Sequence, residues 1–506
     1  MTRSKRFFAG VITGYGSIAA NVVFTIVSIP LALHFLDKEH FGLWALAAQI
    51  NGYLVLLELG MGSAINRYIA DHKDEINGEE YGSHLLTGGL VFITQGLLIA
   101  GVGIGFSWFA PSLFSIPDHL AENFSYLLML LAGISGFNVA LRCFGSPLWS
   151  FQRIDVINIC CTLGSLASLA TLWFGFSKGW GVTAFAIAQL PAAIALPVIH
   201  CWVCLRKGYY PSKSKWGKPK LSIFKRIFYF GKDTLLIQLG SQLVNASQIM
   251  IISRYISLEA AATFAVSTKL YTMGMMLLSN PVSVAGPGLT ELYVRGEKVQ
   301  FIKRYWHLIT ITLASSTLVA TGIAAGNRSF VNIWTQGNID WPWTGDLLLA
   351  LLLVLRSLNV VLLNLFAVTK DWRPVRFAYL AEGLVFLPLA ISLAILYGIT
   401  GVLAASLIAH LLTTTVFSAR AASRIIGSTK RLSISLIVSA VMTAAAASLN
   451  WAAVGISASP LLVLVATAVL CICALGASWR MTFPVDIRRE AWTRVIQFRK
   501  KLRNSK

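Results

Sequence analysis

The chain has 506 residues, 56% of them hydrophobic and only 12% charged, against roughly 25% charged in soluble domains. Its formal net charge is +21, from 42 lysines and arginines against 21 acids. Such a balance excludes an ordinary soluble globular protein. Because a hydrocarbon core about 30 Å thick takes roughly 20 apolar residues per helix, the succession of long apolar stretches predicts an all-α polytopic membrane protein rather than a barrel.

In chain order, fourteen spans are predicted, at about 9–33, 41–63, 84–108, 124–146, 154–176, 181–204, 227–252, 258–285, 305–325, 345–368, 377–397, 399–418, 432–454 and 458–478. The first follows the basic stretch TRSKR, but its apolar run is too long for a typical signal core, so it is read as a helix of the protein. Placement of the basic residues tests the count. With the N-terminus cytoplasmic, 35 of the 42 fall in inside segments. Only Lys38, Lys178, Arg254 and Arg328 fall outside, and Lys232, Lys269 and Arg356 fall within spans. That asymmetry fits an even number of crossings with both termini cytoplasmic. It also accounts for the net charge without a nucleic-acid partner. The segment LRKGYYPSKSKWGKPK and the basic tail would in addition favour anionic lipid headgroups.

The seven cysteines lie in or near apolar spans. Cys201 and Cys204 have the spacing of half a metal site but no second pair, so packing is the better reading and no metal or disulfide is expected. No Walker A pattern is present, so no nucleotide site and no cofactor are expected.

A repeat of about 220 residues organises the chain. GVTAFAIAQL from Gly181 aligns with GVLAASLIAH from Gly401, and EHFGLWALAAQI from Glu39 with EAAATFAVSTKL from Glu259. Asn138-Val139 aligns with Asn359-Val360 at a spacing of 221. Six spans per copy place both copies in the same orientation, a plan that transporters use to bind substrate between lobes and to alternate access. The expected organisation is an N-terminal lobe at 1–204, a basic cytoplasmic linker at 205–226, a C-terminal lobe at 227–418, two further helices at 419–478 and a basic cytoplasmic tail at 479–506.

The stretch from Gly14 to Ala70 carries Phe41-Gly42-Leu43-Trp44 before the second span and Glu58-Leu59-Gly60 followed by Arg67 and Ala70. With FGKDTLLIQLGSQLVNASQIMIISRYISLEAAATFAVSTKL and the Gly-Ile-Thr-Gly turn at 398–401, it resembles the polysaccharide-transporter (Wzx-type) branch of the multidrug/oligosaccharidyl-lipid/polysaccharide flippase superfamily, over roughly residues 10–420. The resemblance implies a non-enzymatic flippase in a bacterial cytoplasmic membrane. Its cargo would be a lipid-linked oligosaccharide of the undecaprenyl-diphosphate type, and its partners membrane lipids, a polysaccharide polymerase and assembly proteins. Relatives often carry Asp in the first and seventh helices, where this chain has Asn and Gln, including Gln248, and Glu58 stands for the commoner Asp. Coupling to H+ or Na+ is therefore left open.

Charges in the spans are the candidate site. An arginine at mid-bilayer costs about 2.5–3.5 kcal/mol on the insertion scale, so Arg356 is expected to face a cavity or a partner. Lys269 is expected at similar depth in the eighth span, and the two would present a positive wall to an anionic cargo. The alternative for Arg356 is a buried pair with Glu58 or Glu382. Arg142 and Lys232, near the cytoplasmic ends, are further candidates for receiving phosphate, against simple snorkelling or pairing. Glu58 and Glu382 are the candidate ion-coupling acids, and His410 is either a proton relay or a histidine bonded to a neighbouring helix. The rival functional readings are a cation-coupled multidrug exporter of the same superfamily and a non-transporting scaffold for polysaccharide assembly.

Overall fold

The structure, a computed structural model, describes residues 3–369, 373–427, 430–455 and 459–481, and every regular element among them is helical. The chain divides into two compact units, Met1–Ala265 and Val266–Lys506. Among the described residues, eleven helical segments are long and apolar enough to cross a membrane. One of them, Val375–Ile426, contains two of the predicted spans, and Pro460–Gly476 is a shorter apolar helix at the fourteenth. The eighth predicted span is divided at Thr268. The basic tail beyond residue 481 lies outside the described residues.

Unit 1 begins with α1 (Arg3–Phe35), α2 (Lys38–Leu54), α3 (Met61–Asp71), α4 (Glu79–Ser107), α5 (Ala110–Phe114) and α6 (Asp118–Ala140). It continues with α7 (Ser146–Ser150), α8 (Ile154–Ser177), α9 (Ala184–Ile187), α10 (Leu190–Lys207), α11 (Leu221–Asn245), α12 (Ser247–Tyr255) and α13 (Leu258–Ser267), within which the division falls. Elements expected in the C-terminal lobe thus fold into unit 1, for reasons visible in the side chains. The Tyr53 hydroxyl, late in α2, donates to the Gln242 carbonyl (3.0 Å) and contacts Ser247 Oγ (2.5 Å). Gln242 in turn donates to the Gly52 carbonyl at 3.2 Å. A methyl group on Gly42 would stand 2.0 Å from the Leu258 carbonyl oxygen, which explains the glycine of the Phe-Gly-Leu-Trp element. Because lipid tails are as apolar as the side chains, no hydrophobic force drives membrane helices together, and they rely on such small-residue contacts. Gly96 of α4 and Gly136 of α6 show it again, since a Cβ on either would fall within 2.4 Å of the other's carbonyl oxygen.

Two spans of unit 1 end in tightened turns at the level where charge appears. After α2 the chain passes through a 3₁₀ turn, Val55–Glu58, then Leu59 and Gly60 take left-handed conformations (φ 52° and 68°). A non-glycine residue with positive φ is uncommon, so the break is a held feature rather than fraying. After α6 a second 3₁₀ turn, Leu141–Phe144, carries Arg142.

Unit 2 contains α14 (Lys269–Val294), α15 (Lys298–Trp334), α16 (Trp343–Thr369), α17 (Arg373–His410), α18 (Val416–Ile426), α19 (Lys430–Gly455) and α20 (Pro460–Met481). Gly398 breaks α17 with φ 62° and ψ −141°, at the Gly-Ile-Thr-Gly turn expected between the eleventh and twelfth spans. Gly179 and Gly181, at the segment whose sequence aligns with Gly401, also have positive φ. A π-type turn, Leu411–Thr415, follows His410. The last two helices lie against α15: Ser439 pairs with Thr317 (2.6 Å), and Asn450 donates to the Ala324 carbonyl (3.0 Å).

Candidate substrate and coupling site

In unit 2 the mid-span arginine is held by an acid. Arg356, on α16, points Nη2 at Glu382 Oε1 of α17 (3.4 Å) and at Ser406 Oγ (3.5 Å). Glu382 Oε1 also meets His410 Nδ1 at 3.1 Å, and its Oε2 accepts from the Thr414 hydroxyl. Tyr271 and Tyr379 also lie within electrostatic reach of the guanidinium. Arg356 is 15% exposed, Glu382 4% and His410 2%. Burying a carboxylate without a cation and donors costs several kcal/mol, and this one has both. Of the sequence alternatives for Arg356, the structure shows the pair with Glu382, and His410 bonded to a neighbouring part of the helical hairpin. The π turn after His410 widens the helix beside Thr414, and such turns recur at functional positions.

Lys269 differs in kind. It is the first residue of α14, partly buried, and among the described residues its ammonium makes no ion pair or hydrogen bond. It is not level with Arg356. A Cβ on Gly274 would touch Leu353 Cδ1 (3.1 Å) and one on Gly286 would touch Asn364 Nδ2 (3.1 Å), so α14 and α16 run parallel in that register. Lys269 precedes Gly274 by five residues and Arg356 follows Leu353 by three, an axial separation of about 12 Å at ~1.5 Å per residue. The expectation of similar depth counted residues from the predicted end of one uninterrupted span, and the division at Thr268 and the helix register replace that count. The two cations bracket the Gly274 contact, with Tyr271 between them.

In unit 1 the candidate acid and arginine are likewise paired. Arg142 Nη1 donates to Glu58 Oε2 at 2.6 Å, with Arg142 49% and Glu58 11% exposed. The two tightened turns bring these side chains together, and Gln95 fixes the same turn by donating to the Glu58 carbonyl (2.5 Å). Each candidate coupling acid is therefore bonded to a candidate substrate cation. Lys232 lies in α11, and its side chain is outside the described residues. Cys204 packs with Leu148 and Tyr209, and no cysteine pair is bonded among the described residues.

Sequence reasoning overlooked Asp346. Fully buried in the first turn of α16, it accepts from Asn327 Nδ2 (2.7 Å), the Arg328 amide (3.1 Å), Trp341 Nε1 (2.8 Å) and Asn450 Nδ2 (2.9 Å). Four neutral donors satisfy this carboxylate without a cation. The signal was available: an acid opening one apolar span, with asparagines at 327 and 450 in two others.

Over residues 8–293 the sequence matches the family described as "Polysaccharide biosynthesis protein". An inward-facing multidrug resistance MATE family transporter of the MOP superfamily superposes with a TM-score of 0.69 at 15% identity, covering 79% of this chain and 94% of that one. The lipid II flippase MurJ, in an inward closed conformation, gives 0.68 at 14% identity, covering 93% of this chain and 99% of that one. A MOP superfamily transporter from Pyrococcus furiosus gives 0.61 at 14%, covering 83% and 95%. No curated protein sequence matches. At these identities the likeness to the solved structures shows the fold alone, while the match over more than half of the chain shows that it belongs to the polysaccharide biosynthesis protein family.

Proposed function

Because the chain belongs to the polysaccharide biosynthesis protein family, we propose that it is a flippase carrying a lipid-linked oligosaccharide of the undecaprenyl-diphosphate type across the bacterial cytoplasmic membrane by alternating access. The observation that supports an anionic cargo is Lys269, a partly buried ammonium with no carboxylate beside it, in the unit where Arg356 already has one. A diphosphate supplies the missing negative charge, and a charge kept among apolar helices at a cost of a few kcal/mol is retained for such a use.

The acid–arginine pairs supply the means of binding and release. While Glu382 is ionised it holds Arg356. When a proton adds to the carboxylate, the Coulomb attraction is lost and the guanidinium turns to the diphosphate. When the cargo leaves, the proton departs and the pair closes again. His410, bonded to the same oxygen, is placed to pass that proton. Glu58 and Arg142 perform the same exchange near the cytoplasmic ends of their spans. A drug exporter for organic cations would need an acid left open for the cargo, whereas both candidate acids here are occupied by arginines.

Deleting the gene and analysing the lipid-linked sugars tests the function, with accumulation on the cytoplasmic side as the expected result. If none accumulates, the scaffold or drug-exporter reading takes over. For the site, Lys269→Ala should abolish surface-glycan export at normal protein abundance, and undiminished export would remove Lys269 from it.

A further inference from the structure

A cluster of metal-ligating side chains lies away from both acid–arginine pairs, where the loop after α3 meets the start of α4. His72 follows α3, while Glu80 and His84 sit four residues apart on one face of α4. One donor atom from each lies within 4.8 Å of the others. The rings are stacked, with centroids 4.2 Å apart and planes inclined by 23°.

The hydrogen bonds fix the chemistry of the donors. His72 Nδ1 lies 2.9 Å from the Tyr68 carbonyl and His84 Nδ1 lies 2.7 Å from the Glu80 carbonyl. A carbonyl oxygen only accepts, so Nδ1 carries the proton in both rings and the lone pair of each neutral imidazole is on Nε2. Histidine ligands to metals are commonly held this way, with the non-ligating N–H bonded to a carbonyl or carboxylate. Glu80 is oriented as well. Its Oε1 takes the Lys220 ammonium (2.5 Å), which leaves Oε2, 4.0 Å from His84 Nδ1, as the second oxygen.

We propose that His72, Glu80 and His84 form a site for one divalent transition-metal ion of the zinc type. Two imidazoles and a carboxylate suit such an ion, and three protein ligands leave a position for water, as in exchangeable rather than closed structural sites. Zinc bonds of about 2.0–2.1 Å put tetrahedral donors roughly 3.3 Å apart, so the ligands draw together on binding and the His72 ring tilts out of its stack to turn Nε2 to the ion. His84 is buried and fixed, whereas His72 follows a helix end and Glu80 is half-exposed, so those two have room to move. The bound ion would clip the loop after α3 to α4. Through Glu80 it would also stand next to the strap at 209–220. That strap is tied to the start of α4 by bonds from Lys218 N to Ser83 Oγ (3.3 Å) and from Lys220 N to Thr87 Oγ1 (3.1 Å).

The test uses the full chain purified in detergent, with Zn2+ competing against a chromophoric chelator. Wild type should take up one equivalent. His72→Ala and Glu80→Gln, both at accessible positions, should each weaken uptake at least about tenfold, while metal-free thermal unfolding stays unchanged. Co2+ provides a second readout, since a four-coordinate site gives intense visible absorption. Uptake by the double variant equal to that of wild type, or only the weak spectrum of six-coordinate Co2+, overturns the proposal.

Discussion

The acid–arginine pairs Glu58–Arg142 and Glu382–Arg356 have the same chemistry in different surroundings. Glu58–Arg142 joins two 3₁₀ turns at span ends, with its arginine half-exposed. Glu382–Arg356 lies between long helices, with a histidine and two hydroxyls closing the shell. Water near the first pair screens it and solvates either partner if the other leaves. Around the second pair only protein does this work. The comparison teaches that an ion pair's contribution is set less by its distance, which is shorter in unit 1, than by what replaces a missing partner.

The largest effect that sharpens this contrast is expected from Arg356→Ala. It strands a buried carboxylate and should cost about 3–5 kcal/mol in thermal unfolding of the purified protein. Replacing both partners, Arg356→Met with Glu382→Gln, should recover about 2 kcal/mol or more of that loss, because a neutral pair needs no counter-charge, while glycan export stays abolished. Recovery of export along with stability would show that the pair serves the fold alone.

A reference point for exposed electrostatics is Asp37, which caps α2 by accepting from the His40 amide and ring, both at 2.7 Å. Partial burial pushes its carboxyl up, but the His40 amide and ring more than offset this and hold it below the usual aspartate range. Asp37→Ala should cost about 1 kcal/mol at neutral pH. Because the folded carboxyl is the stronger acid, its contribution is complete above the ordinary aspartate value of about 3.9 and fades as pH falls below it, so wild type and variant should converge there. The smallest effect is expected from Arg142→Ala, about 0–1 kcal/mol by the same unfolding measurement. A cost equal to that of Arg356→Ala would break the comparison.

Much of the fold was legible because a membrane reduces it to one dimension. Apolar length, basic loops and the glycine turn at 398–401 fixed the spans without knowledge of neighbours. The break after Glu58 was not legible, since the second span was expected to run on to about residue 63. The site was legible only as a set of suspect charges. What Arg356 touches is decided by residues 26 and 50 positions further along, brought together by helix packing. The level of Lys269 was misjudged because depth was counted along a single straight helix, whereas the chain turns at Thr268 and the register with α16 sets the rest. Asp346 escaped notice because it stands at a span end, where an acid looks ordinary, and the asparagines that enclose it come from two other helices.

That enclosure bears on where the protein can stop. One of the four donors to Asp346 is Asn450, on α19. A shortened chain ending before Lys430 would keep the aspartate and lose one of the four donors that hold it. Residue 346 and the presence of α19 thus depend on each other through a buried charge.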